Sequence, residues 1–448
     1  MKVDLLHGKL NKTYFTLLFS AIASTIVSTI YSTVDTICVG HYCGPDGAAA
    51  LVCINPLWAL MFAFGFLAGV GGSVMMANQK GAGNQKGANE YFTVATVLSI
   101  IFSVVLFLTF GIFMRPLVSF FGGEGEVLEL AVEYMYGMLF SVPTFTMCAC
   151  LSTFMRNDGE AIIPTVATII GGVTNIVLDI LFVFVFHFGA FGAGLATGIG
   201  QTISFIIILS YFFTKKCTLK FTKINVLPQI LTKIITVGFA PFVLDLTSGA
   251  ISAVHNIIIK NHLSTAHMAV YSTASLLIIM FNSLFSGIGT AMQPIVATGF
   301  GAKNFERIKG ALKLSFLTAI CMGTIFIGVC EIFPEAILRI YMDVNSEVLE
   351  VGPRILRMYA CAIPITGICM VCNYYFQSIL HRSSSIMISL SRGLVFPLIM
   401  LLALPLAFGY DSIWLAVPFA EITTCAIGIL IMIPAIKSLN QQKTQEQE

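Results

Sequence analysis

Twelve apolar stretches, each of about 20 residues or more, follow one another along this chain, separated by more polar connections. They fall near 14–39, 48–77, 91–113, 131–153, 162–186, 191–213, 231–259, 269–298, 314–333, 356–380, 384–407 and 411–436. Stretches of that length match the hydrocarbon thickness of a bilayer, where every backbone N–H and C=O must be bonded within its own segment. The pattern therefore predicts an all-α integral membrane protein with twelve transmembrane helices. Only 10% of the 448 residues are charged and mean hydropathy is +0.91, against about 25% charged in an average soluble domain. The net charge of +2 is too small to suggest a nucleic-acid partner.

The first run resembles a signal peptide, with Lys2, Lys9 and Lys12 ahead of an apolar stretch and Ala21-Ile22-Ala23. It continues unbroken to about Val39, so an uncleaved first span is expected. The 12 cysteines, among them Cys38, Cys148, Cys330 and Cys425, are scattered through apolar runs and read as small buried hydrophobes. Cys369 and Cys372 form a CxxC without a second pair; helix packing explains them better than metal or redox chemistry. No GxxxxGK[ST], HExxH or GxSxG motif occurs, and Gly81-x-Gly83 has no strand before it. ATP drive, zinc hydrolysis and intramembrane catalysis lack their markers, so no enzyme activity and no cofactor are expected.

Basic residues set the expected orientation. With the N-terminus in the cytoplasm, eighteen of the 24 Lys and Arg lie on the inner side, five on the outer, and Arg392 lies within a span. Both termini then face the cytoplasm in a cell membrane. The chain also repeats itself: Glu126-Val127-Leu128-Glu129 returns as Glu347-Val348-Leu349-Glu350, and Pro143 as Pro364, at an offset of 221. Gly81-Ala82-Gly83-Asn84 returns as Gly301-Ala302-Lys303-Asn304, Phe188-Gly189 as Phe408-Gly409, and Gln201 as Glu421, at an offset of 220. The expected organisation is a first lobe over 1–213, a basic cytoplasmic connector over 214–230 (Lys215, Lys216, Lys220, Lys223), a second lobe over 231–437, and a polar tail over 438–448. Six helices per lobe make this a parallel repeat, an architecture found in alternating-access transporters.

Polar groups inside the spans mark the candidate site. Asn175 and Asp179 stand four residues apart on one helical face, and an ionised carboxylate in hydrocarbon needs a partner, a proton or a cation. At about 1.5 Å per residue, Asp35, Asp179 and Thr197 reach similar depths in the outer half of the first lobe. Tyr31 lies one turn deeper on the face of Asp35. Convergence of these groups from three helices is the geometry of a buried cation or protonation site. In the second lobe Asp245 and Glu421 either line a cavity and attract cations or pair with a base such as Arg392. The 37 Phe, 13 Tyr and 19 Met suit a pliable pocket for flat apolar cations.

Three segments, Asp35-Thr36-Ile37-Cys38-Val39-Gly40, Asn175-x3-Asp179, and Gly192-Ala193-Gly194-Leu195-Ala196-Thr197 with Gln201, resemble the multidrug and toxic compound extrusion (MATE) family. That family sits within a wider superfamily of polysaccharide exporters and lipid-linked flippases, and the resemblance covers about residues 10–436. It implies a V-shaped pair of pseudo-symmetric six-helix bundles and antiport of organic cations or drugs against H⁺ or Na⁺. It also implies that Asp35, Asn175, Asp179 and Thr197 form the cation site. The sequence departs from some family members in having no proline inside the first helix and no acid between Pro364 and Leu380, so a second-lobe ion site is disfavoured. The expected protein is a monomeric secondary multidrug exporter bound to small organic cations and the bilayer, with a lipid-linked-oligosaccharide flippase as the alternative and an intramembrane enzyme third.

Overall fold

The structure is a computed structural model that describes residues 3–215, 217–224, 226–341 and 346–445. Lys2 and Lys216, both part of the basic side, and the last three residues of the polar tail lie outside the described residues. Among those described, regular structure is entirely helical. The first half of the chain forms α1 (Leu10–Gly81), α2 (Gln85–Phe120), α3 (Gly125–Met138), α4 (Val142–Asn157), α5 (Ile162–Asp179) and α6 (Gly189–Phe212). The second forms α7 (Leu227–His262), α8 (Thr265–Gly301), α9 (Phe305–Ile332), α10 (Pro334–Tyr341), α11 (Ser346–Ala360), α12 (Ile363–Ser378), α13 (Arg382–Leu390), α14 (Phe396–Phe408) and α15 (Ala416–Gln445).

The 72 residues of α1 would extend about 108 Å as one rod at 1.5 Å per residue, several times a bilayer's hydrocarbon core. Gly44 breaks it, with φ 73° and ψ −162° followed by Pro45. Glycine meets no Cβ clash in that left-handed region, and proline is tolerated where a new helix starts. Eleven helices among the described residues are long and apolar enough to cross a membrane. Since the first, broken at Gly44, is long enough to cross twice, these account for the twelve predicted spans. The residues after Lys437 continue α15 to Gln445 instead of starting a separate tail.

Helix α2 shows how both faces of a span can be satisfied. Val97, Ile101, Leu108 and Ile112 are exposed, Ile112 by 70%, on a face suited to lipid. Thr96, Ser99, Ser103 and Phe110 are buried on the other, and Thr96 donates to the Phe92 carbonyl at 2.8 Å. Behind it, Leu57, Met61, Met114, Met135 and Phe145 form a shared core, with Trp58 edge-on to Phe145 at 4.7 Å.

The internal repeat is visible in the turns. Asn84 accepts from Gly87 N at 2.9 Å and caps α2; Asn304 accepts from Arg307 N at 3.1 Å and caps α9. Just before each cap the chain turns left-handed, at Gly83 (φ 76°) and Lys303 (φ 55°). Gly189 and Gly409, again 220 apart, do the same at φ 56° and 84°.

Two compact units result. One holds Phe15–Leu246 with the segment up to Gly8, and the other Thr247–Glu448 with Lys9–Tyr14. The first unit thus reaches past the connector into α7. A Cβ on Gly71 would stand 2.1 Å from Ile234 O, and one on Gly238 1.9 Å from Leu67 O, so bare glycine backbone is what lets this part of α7 seat against α1.

Removal of an N-cap costs about 1 kcal/mol. Asn84→Ala and Asn304→Ala should each lower stability by about that amount and by similar degrees, measured by denaturation in detergent micelles; a large inequality would show that the two turns do not carry equivalent loads.

Candidate cation site

Four helical elements of the first unit converge on one set of polar side chains. Asp35 comes from α1, Tyr134 from α3, Asn175 and Asp179 from α5, and Thr197 from α6. All are buried, with Asp179 at 0% exposure and Asn175 at 2%. Tyr134 Oη donates to Asp35 Oδ2 at 2.7 Å, and Asn175 Nδ2 donates to Thr197 Oγ1 at 3.1 Å. Tyr134 Oη and Thr197 Oγ1 are 3.1 Å apart. A phenol has one proton. With that proton given to Asp35, the Thr197 hydroxyl supplies the donor between them, so the chain runs Asn175 to Thr197 to Tyr134 to Asp35.

Glycines decide that these groups can meet. Gly194 and Gly200 flank Thr197 by three residues on either side. A Cβ on Gly194 would lie 1.9 Å from Tyr134 O, and one on Gly200 2.6 Å from Gly171 O. Gly137 on α3 is equally tight, 2.3 Å from Phe191 O. Backbone contact at these points draws α3 and α5 onto α6 close enough for short side chains to bridge. Immediately after Asp179 the helix widens into a π-helical turn, Ile180–Val185, a distortion common at functional sites.

The hydrogen bonding is incomplete. Asp35 Oδ1, Asn175 Oδ1 and both carboxyl oxygens of Asp179 are buried without a partner. No Lys, Arg or His pairs with either carboxyl among the described residues. Buried carboxylates left in this state are costly unless a proton or cation joins them. No group of three or more His, Cys, Asp or Glu suited to a metal ion occurs among the described residues.

The other predicted residues fall differently. The Tyr31 ring lies against Gly172, where a Cβ would be 2.9 Å from Cδ1, so it packs against α5 one turn from the cluster. Gln201 is half-buried one turn past Thr197, and Asp245 is half-buried in α7. Of the two options open for Glu421, the ion pair is realised: Arg392 Nε donates to Glu421 Oε1 at 2.8 Å. Arg392 also donates through Nη2 to Asn282 Oδ1 at 2.6 Å and through Nη1 to Met370 Sδ at 3.3 Å. Cys369 and Cys372 are buried, free thiols. Tyr134 was missed by the sequence reasoning. It stands a few residues into its span at the depth of Asp35, but one tyrosine among 13 carries no distinguishing local pattern.

Twelve crossings, an internal repeat and a buried polar cluster without counter-charge define a membrane carrier built from two related helical lobes. The family model MatE matches residues 20–181 and 242–403, once per repeat, and the chain belongs to this multidrug and toxic compound extrusion family. It is 23% identical over 332 residues to the probable multidrug resistance protein YoeA of Bacillus subtilis, covering 72% of this chain and 71% of that one. It is 22% identical over 385 residues to the multidrug export protein MepA of Staphylococcus saprophyticus, with 84% and 83% coverage. The fold matches a solved MOP superfamily transporter from Pyrococcus furiosus, described as having a binding pocket of reverse polarity, at TM-score 0.90 and 22% identity over 97% of this chain and 98% of that one. It also matches a multidrug resistance MATE family transporter in an outward-facing conformation at TM-score 0.87 and 23% identity, with 98% and 99% coverage. The chain is thus a membrane transporter of the MATE family.

Tyr134→Phe deletes the hydroxyl that donates to Asp35, and any cation held by an ionised Asp35 should then bind at least tenfold more weakly, since a hydrogen bond to a charged group is worth about 1.5–3 kcal/mol. Titration of H⁺ and of Na⁺ onto the purified protein, wild type against variant, with Tm measured alongside, checks this. In the second unit, Arg392→Met alone should destabilise by about 3–5 kcal/mol by stranding Glu421. Adding Glu421→Gln should recover most of that loss in the same unfolding assay.

Proposed function

We propose that this transporter is a secondary antiporter that exports organic, amphipathic cations against H⁺ or Na⁺, with Asp35, Asn175, Asp179 and Thr197 binding the driving ion. The observation that carries this reading is the pair of buried acids, three of whose four carboxyl oxygens have no hydrogen-bond partner and neither of which pairs with a Lys, Arg or His among the described residues. Tyr134 joins them as the group that orients Asp35. A proton on Asp179, or a Na⁺ shared among the carboxyl, amide and hydroxyl oxygens, would remove the uncompensated charge.

Coupling then needs only a two-state protein. An ion that binds one state better shifts the population toward it, and by linkage the shift changes drug affinity by the same factor. On this reading an ion arriving from outside favours drug release, and its departure inward restores drug binding. The excess of Lys and Arg on one side supports a cytoplasmic location for both termini, in a cell membrane, and a monomer suffices because one chain supplies every proposed ligand.

The flippase alternative is less favoured. A lipid pyrophosphate calls for available cationic groups, and Arg392, the basic residue deep in a span, is held by Glu421 and Asn282.

Asp179→Asn and Asp35→Asn should each abolish gradient-driven efflux of a cationic dye such as ethidium from proteoliposomes. Proton and sodium gradients imposed separately identify the driving ion. Full efflux by Asp179→Asn under both gradients would remove it from the mechanism.

A further inference from the structure

The connector between α6 and α7 is fastened to one stripe of α2. Gln85 Nε2 donates to Thr218 O at 3.1 Å, Lys220 N donates to Asn89 Oδ1 at 3.2 Å, and Thr222 N donates to Thr93 Oγ1 at 3.1 Å. Residues 85, 89 and 93 succeed each other at one helical turn, while 218, 220 and 222 are alternate residues of a non-helical segment. Four helical residues rise about 6 Å and two extended residues about 6.6 Å, so the two ladders stay in register. The upstream end is pinned harder. Thr218 Oγ1 donates to Asp158 Oδ1 at 2.9 Å and accepts from Lys80 Nζ at 2.9 Å. Lys80 pairs with Asp158, whose side chain is fully buried, and Tyr211 Oη donates to Asp158 Oδ2 at 3.3 Å. Phe221 lies 5.1 Å from the Phe92 ring.

What this strap leaves outward is one kind of chemistry. Lys215, Lys220 and Lys223 are exposed and make no ion pair among the described residues. Phe213 and Phe221 are 84% and 66% exposed. The acids of the adjoining α4–α5 turn, Asp158 and Glu160, are 3% and 1% exposed, so their charge does not face the lysines from the surface. The nearby Glu90 of α2 is half-buried. The strap begins where α6 ends and runs along the start of α2, which places it at the level where spans leave the hydrocarbon. Aromatic rings and ammonium groups together at that level are the composition of a surface for anionic lipid.

We infer that the described residues of this strap form a docking surface for the headgroups of anionic phospholipids, with Lys215, Lys220 and Lys223 facing phosphate and Phe213 and Phe221 set into the acyl boundary. Fastening to α2 removes the ordering cost that a loose basic loop would meet on binding. Each lysine near an anionic surface strengthens attachment about fivefold, so three account for roughly a hundredfold. The surface lies apart from Asp35 and Asp179, so its loss leaves the dependence of transport on those acids unchanged.

The test uses the purified full chain in neutral detergent with added phosphatidylglycerol or phosphatidylcholine, read by native mass spectrometry and by Tm. Wild type should retain phosphatidylglycerol and gain Tm from it, while phosphatidylcholine does neither. Lys215→Gln, Lys220→Gln and Lys223→Gln combined should need about a hundredfold more phosphatidylglycerol and keep the wild-type Tm in phosphatidylcholine. With wild type alone, the gain should vanish as salt approaches about 1 M, where screening extends to about 3 Å. Equal responses of wild type to the two lipids, unchanged phosphatidylglycerol affinity in the triple variant, a gain that persists at high salt, or the same gain from inorganic phosphate would each overturn the inference.

Discussion

The structure depends on a constraint that acts at Asp35 and Asp179. Hydrocarbon and packed helices give a carboxylate no water, so a buried acid must be neutralised by something within reach. Here the described surroundings supply hydroxyl and amide groups, and no Lys, Arg or His among the described residues pairs with either acid. Tyr134, tied in turn to Thr197, holds one oxygen of Asp35, while Asp179 is enclosed with the Asn175 amide as its polar neighbour on the same helix. An arrangement optimised only for stability would have a base or an apolar residue there. On the proposed antiport reading, a group that accepts and releases an ion during a cycle is kept short of full satisfaction.

The same scaffold offers the opposite solution in its other half. Glu421 occupies the position that Gln201 holds in the first repeat, and it is matched by Arg392, which is tied in turn to Asn282. One repeat carries acids awaiting a charge, and the other carries an acid that already has one. The two repeats share turns, caps and helix order, as Asn84 and Asn304 show, yet their interiors have been put to different electrostatic uses. Fold symmetry therefore does not carry chemical symmetry with it.

Backbone approach is the physical link between the helical scaffold and the polar cluster. Side chains as short as threonine and asparagine bridge helices only when the backbones nearly touch, and glycine is the residue that permits this in membrane bundles. Gly194, Gly200, Gly171 and Gly137 stand where any side chain would collide with a neighbouring backbone or side chain. The polar residues define what the cluster can bind, and the glycines determine that there is a cluster.

The amino-acid sequence alone determined the membrane class, the twelve crossings, the repeat and the residues Asp35, Asn175, Asp179 and Thr197, because hydropathy, offset and depth along a helix are properties of one dimension. Depth alone also predicted that these groups could meet, since helices crossing a bilayer share a common ruler. Rotation about each helix axis has no such ruler. It is set by packing, and so only the tertiary structure brought Tyr134 between Asp35 and Thr197, turned Glu421 onto Arg392, and set Tyr31 against Gly172. The fastening of 218–222 along α2 was hidden for the same reason: its hydrogen bonds join residues about 130 apart in the chain, and no local pattern announces a partner at that distance.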